Sequence, residues 1–200
     1  MMFKGKVILF SLLLLFATSL YAGDVDPCES DFGVSCVGMK IRICPQGDYD
    51  AIRDGCGGSN DFLWLYARDG DGNGIQNVPW TDYWLTACND PGDLLLCSAP
   101  FGADLLTDAD GYTEISGRIA GGGCVVTGGV YLSIQGKTVV DAPDCLSPTC
   151  VDIQLISPDL IPDYVVNLSD FGVFGDAFNT VLGDASYNDC CDYTGDQIVN

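Results

Sequence analysis

Residues 62–74 read FLWLYARDGDGNG. The first seven are aromatic or bulky apolar residues up to Arg68, the composition of a strand that packs on a pleated surface. The next six are Asp, Gly and Asn, which accept turn conformations that other residues resist. This pairing of a strand with a tight turn recurs outward in both directions. Upstream, Met39-Lys40-Ile41-Arg42-Ile43 alternates apolar and basic residues and stops at Pro45-Gln46-Gly47-Asp48. Downstream, residues 75–85 resume extended structure, with Pro79 marking an edge or bulge. Residues 94–97 form a short apolar run, and TDADG at 107–111 turns into 112–116. Val130, Leu132 and Ile134 alternate with Tyr131, Ser133 and Gln135, Gly136 turns the chain into 137–140, and 151–156 closes the set. Short strands at this spacing predict a mainly β fold, a two-sheet sandwich over residues 36–156. Gly121-Gly122-Gly123 lacks the Lys-Ser/Thr that follows a phosphate loop, so it reads as a tight turn or strand crossing.

The N-terminal flank reads as an address. Lys4 and Lys6 precede an apolar run over 7–17, and Ala22 supplies a small residue for cleavage. The run is too short to span a bilayer comfortably. Residues 1–22 are therefore expected to be a removable export signal, with no membrane span after cleavage. Residues 23–35 are polar and turn-like, an extended segment able to add a strand to a neighbouring copy.

Composition narrows the functions. The leader removes two of the eight basic residues, leaving six against 28 acids, a net charge of −22. Such a surface repels nucleic acid and anionic lipid and attracts cations. Of the acids, 26 are Asp, the residue of turns and metal loops, and only Glu29 and Glu114 are Glu. There is no His, which removes Ser-His-Asp and Cys-His nucleophile systems. No pair of Asp is marked out for glycoside hydrolysis, so a non-enzymatic protein is expected. Eleven Cys behind an export signal read as disulfides; with no CxxC and no His, zinc is disfavoured. The expected pairs are Cys88 with Cys124 and Cys145 with Cys150, with Cys190 and Cys191 each reaching elsewhere. The odd count leaves one Cys free, bonded to another chain, or awaiting a partner past residue 200.

The C-terminal flank repeats itself. Asp159-Leu-Ile-Pro-Asp163-Tyr-Val-Val-Asn167 aligns with Asp192-Tyr-Thr-Gly-Asp196-Gln-Ile-Val-Asn200. A calcium loop places oxygen ligands at positions 1, 3, 5, 7, 9 and 12, the seventh through a backbone carbonyl. In the first copy these are Asp159, Ile161, Asp163, Val165, Asn167 and Asp170, where Ile161 has no side-chain oxygen. In the second they are Asp192, Thr194, Asp196, Ile198 and Asn200, and the twelfth lies beyond the sequence, as in a fragment or processed form. Calcium is thus expected at Asp159, Asp163, Val165, Asn167 and Asp170, and at Asp192, Thr194, Asp196, Ile198 and Asn200. A helix is expected from a Ser169 cap to about Val181, with Phe171, Phe174 and Phe178 on one face. Asn167-Leu168-Ser169 is also a glycosylation sequon, a use that competes with ligation. Asp69-Gly-Asp71-Gly-Asn73-Gly74 opens like a calcium loop, but its twelfth position is Trp80, so it reads as a hairpin turn. Trp64, Trp80 and Trp84 read as core aromatics ahead of a sugar platform.

Two resemblances follow. DGDGNGIQNVP at 69–79, TDADGYTEISG at 107–117 and AGGGC at 120–124 resemble bacterial immunoglobulin-like modules of surface proteins. That implies a spacer, adhesin or assembly subunit. VVNLSDF and DYTGDQIVN resemble the dockerin repeat over 157–200, with the second copy truncated. That implies paired calcium loops with helices, and docking onto cohesin modules. The chain departs from the dockerin pattern at position 6, where Tyr164 and Gln197 replace glycine. Together these imply an immunoglobulin-like β-sandwich with a small α-helical, dockerin-like calcium appendage, secreted or at the cell surface. Expected partners are copies of itself or another surface protein. The alternative is calcium-dependent docking to a cohesin-like scaffold or a surface glycan.

Overall fold

A computed structural model describes residues 23–45, 52–58, 60–89, 94–97, 102–117, 119–141 and 144–200. The expected export signal at 1–22 lies outside them. The strand read first is β3 (Leu63–Tyr66), and its alternation sends Leu63 and Leu65 into the core while Trp64 and Tyr66 stay half-buried. It pairs antiparallel with β1 (Asp31–Val34) and β6 (Tyr112–Ile115), in the register Phe32 to Leu65 and Leu63 to Ile115. Of the segment expected to add a strand to a neighbour, residues 31–34 pair within their own chain. Trp64 packs against Gly33, where an added Cβ would strike the indole, and its Nε1 donates to the Val34 carbonyl at 3.1 Å.

The second sheet runs β2 (Met39–Arg42), β10 (Ile153–Ile156), β7 (Gly121–Val125), β5 (Leu94–Leu96). Its β2–β10 pair is parallel and the others antiparallel. The third runs β4 (Tyr83–Ala87), β8 (Val130–Ile134), β9 (Lys137–Thr138). The chain is mainly β, but its described strands form three sheets instead of two. Residues 75–82 turn where extended structure was expected. One core gathers the inward residues of all three sheets, among them Ile41, Leu65, Leu85, Ile115, Leu132 and Leu155. Each such buried aliphatic side chain contributes roughly 1.5–3 kcal/mol.

The triple glycine forms no turn: it is the buried first half of β7. A Cβ at Gly121 would meet the backbone of β5, and one at Gly122 would meet the carboxylate of Asp159. Glycine is needed there for close approach, not for a turn.

Four disulfides join Cys28 to Cys145, Cys36 to Cys56, Cys88 to Cys150 and Cys124 to Cys190. Both expected pairings are corrected: Cys88 and Cys124 take different partners, as do Cys145 and Cys150. Cys190 does reach elsewhere, to β7, whereas its neighbour Cys191 is a buried free thiol. Four bridges fit an oxidising, extracellular setting. Among the described residues no helix is long and apolar enough to cross a membrane.

Past β10 the chain builds a small unit against the second sheet. Helix α1 (Leu168–Ala177) is capped by Asn167, not Ser169, and ends four residues before Val181. The Asn167 side chain accepts from Ser169 N at 2.8 Å, and the Asp170 carboxylate accepts from Asn167 N at 2.8 Å, a capping box. Phe174 packs with Ala177, Cys191 and Val199 in a second cluster. Phe171 and Phe178 are exposed, so the three rings do not share one buried face.

Candidate metal centre

The two repeated segments fold alike. In the first loop the Asp159 carboxylate accepts from Asp163 N at 3.3 Å and from Tyr164 N at 2.8 Å. Asp163 accepts from Val165 N at 2.9 Å. In the second, Asp192 accepts from Gly195 N at 2.7 Å and from Gln197 N at 2.8 Å, and Asp196 accepts from Ile198 N at 3.0 Å. Position 1 thus accepts from the backbone of position 6 in both, and position 5 from that of position 7. Tyr164 and Gln197, standing where glycine was wanted, take φ of 69° and 68°. The left-handed turn is kept in both loops without glycine, a conformation that crowds Cβ against the backbone.

Among the described residues the acidic and thiol groups close enough to share an ion are Cys36, Cys56 and Asp61, two of them joined in a disulfide, and the carboxylates of Asp159, Asp163 and Asp170 form no such cluster. Asn167 Nδ2 lies 3.5 Å from Asp163 Oδ2 and 3.1 Å from the Val165 carbonyl. Asp170 closes the ring by accepting from Ile161 N at 2.9 Å. Ile161, the position without a side-chain oxygen, contributes its N–H to the loop. In the second loop Thr194 Oγ1 donates to Asp192 at 3.1 Å, while Asn200 is exposed.

Burial separates these acids from the rest. Asp159, Asp170 and Asp192 are 0%, 2% and 4% exposed, and they are the buried acidic residues among those described. They occupy position 1 of each loop and position 12 of the first. Among the described residues the only ion pair joins Lys137 to Asp24, so no Lys or Arg forms a salt bridge with these carboxylates. A buried carboxylate without a countercharge is costly unless hydrogen bonds or a metal compensate. For Asp159 burial prevails and pushes its carboxyl above the ordinary value, with the nearby Asp170 and Asp163 adding to the rise. Burial also works against ionisation of Asp170, but N–H donors of Ile161 and Asn167 outweigh it and hold its carboxyl low. At Asp192 burial is likewise outweighed, by the N–H groups of Gln197 and Gly195 and then by Tyr187.

The neighbours of these loops carry no local sequence signal. Tyr187 donates its hydroxyl to Asp192 at 3.0 Å, and burial together with that bond raises the phenol pKa. Lys40 Nζ donates to the Asp192 carbonyl at 3.4 Å and Arg42 Nε to the Tyr193 carbonyl at 2.9 Å, tying the second loop to β2. Gly123 N donates to the Asp159 carbonyl at 2.8 Å, tying the first to β7. Tyr193, stacked on Phe174, donates to the Ser157 carbonyl at 3.3 Å. Trp80 and Trp84 are more exposed than a core assignment predicts, while Trp64 is partly covered. No protein-family model, curated protein or solved structure matches this chain.

Proposed function

We propose that this chain is an exported, non-enzymatic structural protein whose two C-terminal loops bind calcium. Its β unit would act as an immunoglobulin-like spacer, and its dockerin-like appendage would make it a subunit of a bacterial extracellular or cell-surface assembly such as a filament. One observation carries the calcium part: the acids buried among the described residues are those that ligand spacing assigns to positions 1 and 12. Hard oxygen ligands on a strongly acidic chain suit calcium better than a thiophilic metal. The disulfides support the address, since an oxidising and calcium-rich medium serves both features.

Calorimetric titration of the intact protein with calcium tests this, with two ions per chain expected. A flat titration sinks the calcium reading. Electron microscopy of secreted material tests the assembly: fibres that disperse in chelator are expected, and a monodisperse monomer under both conditions removes the filament. A second reading is favoured by the exposed Leu168, Phe171 and Phe178 on and beside α1. In it the appendage docks, calcium-bound, onto a cohesin-like scaffold or a surface glycan, and the purified protein stays monomeric until that partner is added.

A further inference from the structure

The outward face of β3 is aromatic, and strand register builds a small grid around it. Tyr66 stands between Asp31 of β1 and Tyr112 of β6, and Trp64 stands between Gly33 and Glu114. Leu63, Leu65, Thr113 and Ile115 fill the inner side, so these residues share the outer one. The rings form one row. The centroids of Trp64 and Tyr66 lie 6.1 Å apart, and those of Tyr66 and Tyr112 lie 5.1 Å apart. Polar groups rim it. Tyr112 Oη donates to one oxygen of Glu114 at 2.6 Å, and Phe32 N donates to one oxygen of Asp31 at 2.8 Å. The Arg68 guanidinium sits over the Tyr66 ring, 5.0 Å from its centroid. Arg68 and Asp31 also wall a recess of about 320 Å³ with Glu29 and Thr149. Cross-strand pairing explains why aromatic residues suit this sheet. It does not explain a guanidinium kept on a ring, in a chain with 28 acids, without a salt bridge to any described carboxylate.

We propose that this face binds a neutral polysaccharide. The site lies on the β unit and does not depend on the calcium loops. Aromatic rings take the apolar C–H face of a sugar ring, and rings in a row offer that contact repeatedly. Carboxylates accept from neighbouring sugar hydroxyls, and the planar guanidinium donates to them. From Trp64 to Arg68 the strand covers about 13 Å at about 3.3 Å per residue, a length for roughly two or three sugar rings. The recess beside Arg68 takes a ring at the end of that run. Charge selects the ligand, because a strongly acidic chain repels a polyanionic glycan. An apolar protein surface would instead strip water from Glu114, Asp31 and Arg68 without pairing them.

The test is calorimetric titration of the intact protein with cellohexaose, mannohexaose and chitohexaose as neutral probes and hexaguluronate as an anionic one, each in calcium and in chelator. At least one neutral probe is expected to bind equally in both media, and hexaguluronate is expected not to bind. Tyr66→Ala should weaken binding by at least about tenfold. Glu114→Gln and Arg68→Gln keep all three rings, should melt with the natural chain and should each weaken binding about three- to tenfold. They decide the matter if the Tyr66 variant fails to fold. Silence from every neutral probe, affinity that survives these substitutions, or hexaguluronate binding as tightly overturns the proposal. A dimer that Tyr66→Ala splits overturns it too, giving the face to a second copy. Binding lost in chelator moves the sugar to the C-terminal loops and overturns this site while leaving the calcium reading in place. Sugar binding beside a flat calcium titration removes the calcium reading alone.

Discussion

Two kinds of aspartate loop occupy this chain, and in both an Asp carboxylate accepts from backbone N–H groups a few residues ahead. In the hairpin turns, Asp69 accepts from the N–H groups of Asp71 and Asn73, and Asp108 from those of Asp110 and Tyr112. In the C-terminal loops, Asp159 and Asp192 accept from the backbone four and five residues, and three and five residues, ahead. What differs is the surroundings. Asp108 is exposed and Asp69 only half-covered, whereas Asp159 and Asp192 are buried against a sheet. A solvated carboxylate that caps a turn needs nothing further. A buried one without an ion-pair partner relies on backbone N–H groups, which outweigh burial at Asp170 and Asp192 but not at Asp159. The Asp-Gly pattern therefore specifies a turn, and burial is what turns a loop into a candidate cation site.

The largest effect expected from this difference is on heat stability. Binding restricted to the folded state contributes about 2.7 kcal/mol for a site held at a hundredfold over its Kd. Two sites would supply about 5 kcal/mol, or roughly 10–20 °C in Tm at 2–4 °C per kcal/mol for a chain of this size. Differential scanning calorimetry in calcium and in chelator measures it. Equal melting in both would erase the distinction between the two kinds of loop.

Asp159→Asn should act in opposite directions under the two conditions. Asn keeps an acceptor for Tyr164 N but removes the buried charge. In calcium the variant should lose the contribution of the first site, about 2–3 kcal/mol. In chelator it should melt at the same temperature as the natural chain or above it. The pH dependence has a matching sign. Burial holds Asp159 above its ordinary value of 3.8, so the native state binds more protons than the unfolded chain between that value and the raised one. Its cation-free stability therefore falls as pH rises through the window, and Asp159→Asn should flatten that fall. Asp170 and Asp192 are held below 3.8, so their contribution is present above that value and is lost as pH falls through the lowered one. Thermal melts in chelator across the acid range check both slopes.

A smaller effect concerns the turn itself. Tyr164 and Gln197 hold positive φ, where a side chain costs about 1–2 kcal/mol in crowding and glycine about 0.5–1 kcal/mol in chain entropy. Tyr164→Gly and Gln197→Gly should each raise stability by about 1 kcal/mol or less, and each should tighten calcium binding by calorimetry. Destabilisation by both would mean that the Tyr and Gln side chains do more than occupy a turn.

Much of this was legible because alternation is local. Leu63, Ile41 and Leu132 declare their strands by what stands beside them. β1 hid because Asp31 and Gly33 are poor strand residues, and its pairing depends on Trp64 lying over that glycine from another strand. The three glycines of β7 hid for a like reason, since their need comes from Asp159 and β5, distant in sequence. Disulfide partners such as Cys124 and Cys190, 66 residues apart, are set by the folded path and not by spacing. At the candidate site, spacing picked out the residues at which calcium is proposed. It could not reveal which carboxylates are buried, nor that Tyr187 and Gly122 lie against those of Asp192 and Asp159 while Lys40 holds the Asp192 carbonyl.

The smallest effect is the one that guards the comparison. Asp69 accepts from Asn73 and Asp71 N–H groups, which hold its carboxyl below the ordinary value while it remains in contact with water. Asp69→Asn and Asp108→Asn keep an acceptor at each turn and remove a charge that solvent already screens. Both variants should melt close to the natural chain, by the same small difference in calcium and in chelator. Both should still bind two ions in the calorimeter. If Asp69→Asn instead removes an ion, the DGDGNG turn holds a cation while solvated. Burial would then not be the feature that separates the two kinds of loop, and ligand count alone would have to explain the difference.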